Sequence, residues 1–229
     1  GPVGNDINPG FFCHPVLVID PLKQLPIGIS HVDLWNRSWD KLKKTERNYK
    51  YQVIKEKESF RWIESAQKTK DLLDKPSCLT IIGDRESDIY DEFYQVPDQR
   101  TNLLIRSSVN RNLYGEDQKL FEKLSSAKQR ARYQLEIRRS HKRASRKAVM
   151  SLKYEKLKIS RPKGRLHEGR PDYVEMWAIE AKELSGSVPH VEAPVLWRLL
   201  TTHTINCVED ALRCVQWYSL RWLIEELFR

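Results

Sequence analysis

The chain has 229 residues, 40% of them hydrophobic, with seven Trp and a formal charge of +9, enough for one large domain or a domain carrying an inserted module. No stretch approaches the roughly 20 apolar residues of a membrane span, and the one early apolar run, residues 16–19, is too short for a signal peptide. Cys13, Cys78, Cys207 and Cys214 are widely scattered, as are the six His, which argues against a zinc site or a disulfide framework and for reduced thiols in a cytoplasmic protein.

From the N-terminus, residues 15–19 and 27–35 read as paired strands joined around residues 22–26. Residues 40–58 are densely charged and are expected at the surface. A helix follows over residues 58–73, with Phe60, Ile63, Ala66 and Leu72 as its apolar stripe, ended by Asp74-Lys75-Pro76-Ser77. Residues 78–82 form a short, mostly apolar, β-branched run, which reads as a buried strand. Gly83 permits a bend or a close backbone approach. Asp84 then falls at the strand's carboxyl end, where open α/β sheets place their chemistry; a carboxylate there also serves as a helix cap. A helix starting at Ser87, with acids in its first turn, and a strand over residues 103–107 bearing Arg106 come next.

Residues 110–195 read as a β-rich insertion. It holds a short helix at 120–127 and alternating strands at 133–137, 148–154, 156–160 and 174–181. Arg161-Pro162-Lys163-Gly164-Arg165 and Gly169-Arg170-Pro171 are turns. The charge is concentrated here. Residues 128–170 hold sixteen Lys and Arg against three acids, a surplus of thirteen, so the rest of the chain nets −4. Arg138, Arg139, Lys142 and Arg143 lie among strand-like residues, a footprint that suits a polyanion; a solvated basic loop is the competing reading. No long amphipathic helix accompanies the charge, so a membrane surface fits less well.

A strand over residues 196–202 carries Trp197, and Asn206 or Glu209 would cap the helix after it. Residues 217–229 read as helix with no breaker. Tyr218, Arg221, Glu225 and Arg229 follow at spacings of three, four and four and so share one face. A carboxylate among phosphate-seeking groups suits a metal-dependent enzyme acting on nucleic acid. The plainer readings are a solvated charged face and an Arg221–Glu225 ion pair. Glu226 points about 100° away, and Trp217 and Trp222 are assigned to packing.

Two blocks together, Asp84-Arg85-Glu86-Ser87-Asp88 and Tyr218–Arg221–Glu225, resemble one family: bacterial insertion-sequence cut-and-paste transposases with a DDE triad and a ribonuclease-H-like core. The first matches the family's Asp-Arg-Glu-(Ala or Ser)-Asp block. The second matches its Tyr-x2-Arg-x3-Glu-x6-Lys signature as far as Arg229, short of the Lys. The likeness extends to Leu103-Leu104-Ile105-Arg106-Ser107 and Trp197-Arg198-Leu199-Leu200-Thr201-Thr202, and more loosely to residues 4–35.

The resemblance implies an α/β fold: a ribonuclease-H-like mixed sheet flanked by helices, with a β-rich insertion before the final catalytic helix. It divides the chain into residues 1–109 (core), 110–195 (basic insertion) and 196–229 (core strand and catalytic helix). Asp84 and Glu225 become catalytic ligands of two Mg²⁺ ions, with Mn²⁺ as substitute. Tyr218, Arg221, Arg106 and Trp197 become DNA contacts, Trp197 by stacking a flipped base; a core Trp is the alternative. The reaction would be nicking, attack by the 3′ hydroxyl on the opposite strand, hairpin opening and strand transfer, by a homodimer on double-stranded transposon ends and target DNA, near the bacterial nucleoid. The first catalytic Asp is expected upstream, on a central first strand outside this chain; Asp20 is the lesser candidate. The isolated chain is therefore expected to fold poorly and not to cleave. Two other readings remain: a ribonuclease-H-like nuclease without strand transfer, and a non-catalytic DNA-binding remnant.

Overall fold

A computed structural model describes residues 2–3, 8–37, 39, 52–137, 145–163, 169–190 and 192–228. A minimal ladder of β1 (Pro2–Val3) and β2 (Asn8–Pro9) leads into an antiparallel hairpin, β3 (Phe12–Asp20) with β4 (Leu25–Trp35). The hairpin turns because the Asp20 carboxylate accepts the amides of Leu22 and Lys23, at 2.8 and 3.0 Å, the self-capping that favours Asp in turns. Then come α1 (Phe60–Leu72), β5 (Leu79–Gly83), α2 (Tyr90–Gln95), β6 (Thr101–Arg106) and α3 (Leu120–Ser126). The insertion supplies β7 (Ala131–Ile137), β8 (Arg146–Ser160) and β9 (Tyr173–Glu183). β10 (Leu196–Thr201), α4 (Val208–Ser219) and α5 (Trp222–Leu227) complete the order.

Six strands form one mixed sheet in the order β5-β6-β10-β9-β8-β7. β5 and β6 are parallel and every other pair is antiparallel. The insertion thus continues the sheet that carries Asp84. β6 explains why both faces need cover. Leu103, Leu104 and Ile105 are fully buried in succession, and neighbouring strand residues point to opposite faces. Leu103 and Ile105 join Ile63, Phe93 and Leu120, under α1, α2 and α3. Leu104 joins Leu199, Ala211 and Val215, under α4. The fold is accordingly mixed α/β, with a mixed sheet flanked by helices.

Three local expectations change. The two strands expected at 148–154 and 156–160 are one, because the ladder to β9 runs unbroken from Met150↔Glu183 to Ser160↔Tyr173 across the charged Glu155-Lys156 step. The last helix is not continuous. At Leu220–Arg221 the amides of residues 220, 221, 223 and 224 bond three residues back, and α4 passes to α5 through a tightened turn. The cap of α4 is Cys207, in a capping box with Asp210, whose carboxylate accepts the amides of Asn206 and Cys207 at 3.0 and 3.3 Å. Most of the charged segment 40–58 lies outside the described residues. Among the described residues no helix is long and apolar enough to cross a membrane.

Candidate active site

Asp84 is placed by a glycine. A Cβ on Gly83 would stand 2.2 Å from Ser87 Oγ and 2.9 Å from Ile105 Cδ1, so only glycine lets the chain fold back this tightly after β5. The Glu86 amide donates to Asp84 Oδ1 at 2.8 Å, and residues 85–87 make a single 3₁₀ turn. The other acids of the block are held by neighbours. Glu86 accepts from Arg61 at 2.6 Å. The Asp88 side chain is fully buried; it accepts the amides of Ser108 and Val109 at 2.7 and 2.8 Å and the Arg111 guanidinium at 2.6 Å. Of the two aspartates, Asp84 is the one that reaches open space.

That space is a largely apolar cavity of about 470 Å³ between β3 and β5. α1 forms one wall, through Trp62, Ala66 and Thr69; Trp217, Leu220, Ile224 and Phe228 form the opposite one. Among the described residues β3 pairs only with β4 and β5 only with β6, so the two strands turn unpaired edges toward the cavity. They run in opposite senses. α1 follows β3, since Trp62 packs edge-on against His14 and Thr69 bonds Ser30, whose hydroxyl reaches Val16 O. It opposes β5, since Arg100 joins the end of α1 to the amide that starts β5. Asp84 and His14 therefore mark one end of the cavity, and Ile19 and Pro21 the other, with Asp20 between them engaged in its turn.

Arg221 lines the same cavity as Asp84. Burial opposes its charge, but the Glu225 hydrogen bond and the Tyr218, Glu225 and Asp84 side chains outweigh that and hold its pKa above the ordinary value. Arg221 Nη2 donates to Glu225 Oε1 at 2.5 Å, and the Glu225 side chain is 55% exposed. The structure thus brings Asp84 and Arg221 to one cavity, with Glu225 linked to it through Arg221. Tyr218 is only 3% exposed and meets Trp197, which is partly buried, edge-on, with ring centroids 5.3 Å apart. Arg106 donates to Leu196 O at 3.2 Å. Arg138, Arg139, Lys142 and Arg143 lie outside the described residues.

Two further residues of this site, His14 and Arg61, are not among the sequence-derived candidates. His14 faces the cavity beside Asp84; burial, then the Arg61 charge, pull its pKa below the ordinary value, which favours the uncharged ring. Arg61 sits over Trp35, at 5.1 Å, while holding Glu86. Neither carries a sequence signal: His14 precedes an ordinary apolar run, and Arg61 is one cation on an amphipathic helix.

Asp84 and Glu225 offer the hard oxygen donors that Mg²⁺ prefers. Among the described residues, however, no three His, Cys, Asp or Glu side chains come together to complete a metal site. The sequence matches no protein-family model.

Proposed function

We propose that the protein is the catalytic part of a DDE transposase, a nuclease and strand transferase acting on the ends of a mobile DNA element, with Asp84 and Glu225 as two of its three acids. The observation that carries this reading is that Asp84, at a strand end, lines one cavity with Arg221, which is remote in sequence and bonded to Glu225. In this reading the core is ribonuclease-H-like, and its first strand belongs in the cavity. An occupant must run parallel to one edge and antiparallel to the other. β3 begins beside His14, at the Asp84 end, so a strand joined to its start by a turn would run parallel to β5. A carboxylate at its end would be the third acid.

Asp84, Glu225 and that acid would hold Mg²⁺, which when bound would supply stabilisation of negative charge on the attacking and leaving oxygens. The protein's own groups do the rest. Arg221 clamps the phosphate next to the scissile bond, exchanging its Glu225 contact for a phosphate oxygen. The apolar walls exclude bulk water and strengthen the fields inside. The basic insertion holds the flanking duplex. Tyr218 and Trp197 support the helix that carries Arg221, and Trp197 serves as a base platform only if the Tyr218 contact opens.

The alternative, a DNA-binding remnant, draws on the lack, among the described residues, of three acids grouped around Asp84. The test is Mg²⁺-dependent cleavage and joining by the intact gene product on DNA flanked by the element's own ends, with Glu225→Gln alongside. Joined products from wild type, reduced by at least about a thousandfold in the mutant while DNA binding persists, are expected. Cleavage without joining would point to a nuclease, and binding alone to a remnant.

A further inference from the structure

The turn that carries Asp84 is anchored residue by residue to three different parts of the fold. Ser87 is hydrogen-bonded to Glu92 of α2, 2.8 Å from each carboxyl oxygen. Asp88 is held beyond β6, by the amides of Ser108 and Val109 and by Arg111. Glu86 is held by Arg61 of α1, at 2.6 Å. Among the described residues this is the one hydrogen bond between α1 and the turn. β5 pairs there only with β6, so no ladder steadies the turn from the cavity side.

Arg61 is a fixed post. Its side chain is 18% exposed, Nη1 donates to Glu58 O at 2.9 Å, and the guanidinium lies 5.1 Å from the Trp35 ring. Trp35 in turn donates to the Glu58 carboxylate at 3.2 Å and stacks on Phe12, with centroids 5.3 Å apart. The planar fork directs two donors at once, so Arg61 is tied both to the start of α1 and to the hairpin. Glu86, at the other end of the pair, is 67% exposed, and an ion pair with so exposed a partner adds little to stability. Its consequence is geometric. The Glu86 amide donates to Asp84 Oδ1 at 2.8 Å, while Asp84 Oδ2 has no hydrogen bond among the described residues. One carboxylate oxygen is fixed and the other is left for a ligand.

We propose that Arg61 and Glu86 are positioning residues: their ion pair fixes the Glu86 amide, and through it the Asp84 carboxylate, in the orientation that presents Oδ2 to a divalent metal ion. The inference rests on the reading of Asp84 as a metal-binding acid. Groups that orient a metal ligand without touching the ion change its affinity by about ten- to hundredfold when removed. The rival role for Glu86 is that of a ligand in its own right, which Arg61 merely restrains. The two roles give opposite signs for the loss of Arg61. Coulomb's law alone makes a site bind a cation more tightly once a neighbouring cation is gone, and a Glu86 ligand set free would add to that. A tether that is cut loosens the site instead.

The experiment titrates the intact protein with Mn²⁺ in the absence of DNA and follows the EPR signal of the free ion, for wild type, Asp84→Asn, Glu86→Gln, Arg61→Met and the double variant of the last two. Glu86→Gln and Arg61→Met are each expected to weaken Mn²⁺ binding at least about tenfold. The double variant should be no weaker than the more affected single one, since both changes remove the same tether. Arg61→Lys, which keeps the charge, should recover part of the loss. Melting curves run alongside, and Glu86→Gln should keep the wild-type Tm to within about 4 °C. Unchanged affinity in Glu86→Gln, with Asp84→Asn defective, would overturn the tether and leave the catalytic reading standing. Tighter binding in Arg61→Met would overturn it in favour of Glu86 as a ligand, and losses that multiply in the double variant would show two independent effects in place of one tether. Wild type and Asp84→Asn alike in Mn²⁺ binding would sink the reading of Asp84 and the tether with it.

Discussion

Gly83 decides whether Asp84 can stand where it does. Gly83→Ala introduces a Cβ 2.2 Å from Ser87 Oγ, and the hydroxyl cannot swing away freely because it is hydrogen-bonded to the Glu92 carboxyl group, 2.8 Å from each oxygen. Thermal unfolding of this variant should show a loss of about 1–3 kcal/mol, and cleavage should fall much further than DNA binding because the turn that aims Asp84 shifts. An unchanged Tm would mean that the turn tolerates the added methyl. Arg111→Met is the harsher change. It strands a fully buried Asp88 carboxylate, and breaking such a pair costs about 3–5 kcal/mol. As letters, Asp84 and Asp88 are equivalent members of one block. What separates them is Arg111, which carries no motif and lies 23 residues downstream. The sequence can announce an acid at a strand end; it cannot say which neighbour will neutralise the other.

Among the elements, α2 is built around an acid that is protonated at neutral pH. Burial pushes Glu92 up to about 8; the Ser87 hydrogen bond opposes this and the nearby Asp88 charge adds to it. A pKa raised on folding means that the contribution is fully present below the ordinary value of 4.5 and is lost as pH rises through about 8. Urea denaturation of the intact protein should therefore show stability declining across that window. Glu92→Gln should flatten the decline and be the more stable form at pH 9; parallel pH profiles would refute the burial argument. Sequence alone presents Glu92 only as an acid in a helix's first turn, a solvent-facing role by default. The strand ending in Asp84, by contrast, is legible from its β-branched run. The turn between α4 and α5 is not, because Leu220-Arg221 contains neither Gly nor Pro.

At the scale of the whole molecule, charge and sheet meet in the insertion. Composition locates a surplus of thirteen positive charges between residues 128 and 170, and alternation locates strands there, but neither reveals that these strands extend the sheet of the candidate site or how many cations the fold uses internally. Arg146 is held by Glu183 and by Glu192, Arg161 by Asp172, Arg170 by Asp91 and Lys156 by Glu175. These pairs separate two kinds of variant. Neutralising Arg138, Arg139, Lys142 and Arg143 together should weaken DNA binding and lower the slope of log affinity against log salt by up to about 4, close to one for each phosphate no longer neutralised, with Tm unchanged. Arg146→Gln should do the reverse, because it leaves the buried Glu183 carboxylate without its cation: Tm falls, while the salt slope stays within about one of wild type. Fluorescence titrations from low to moderate salt, paired with melting curves, measure both. If the quadruple variant leaves the slope untouched, the polyanion is bound elsewhere, and the surplus charge of the insertion is a solvated surface.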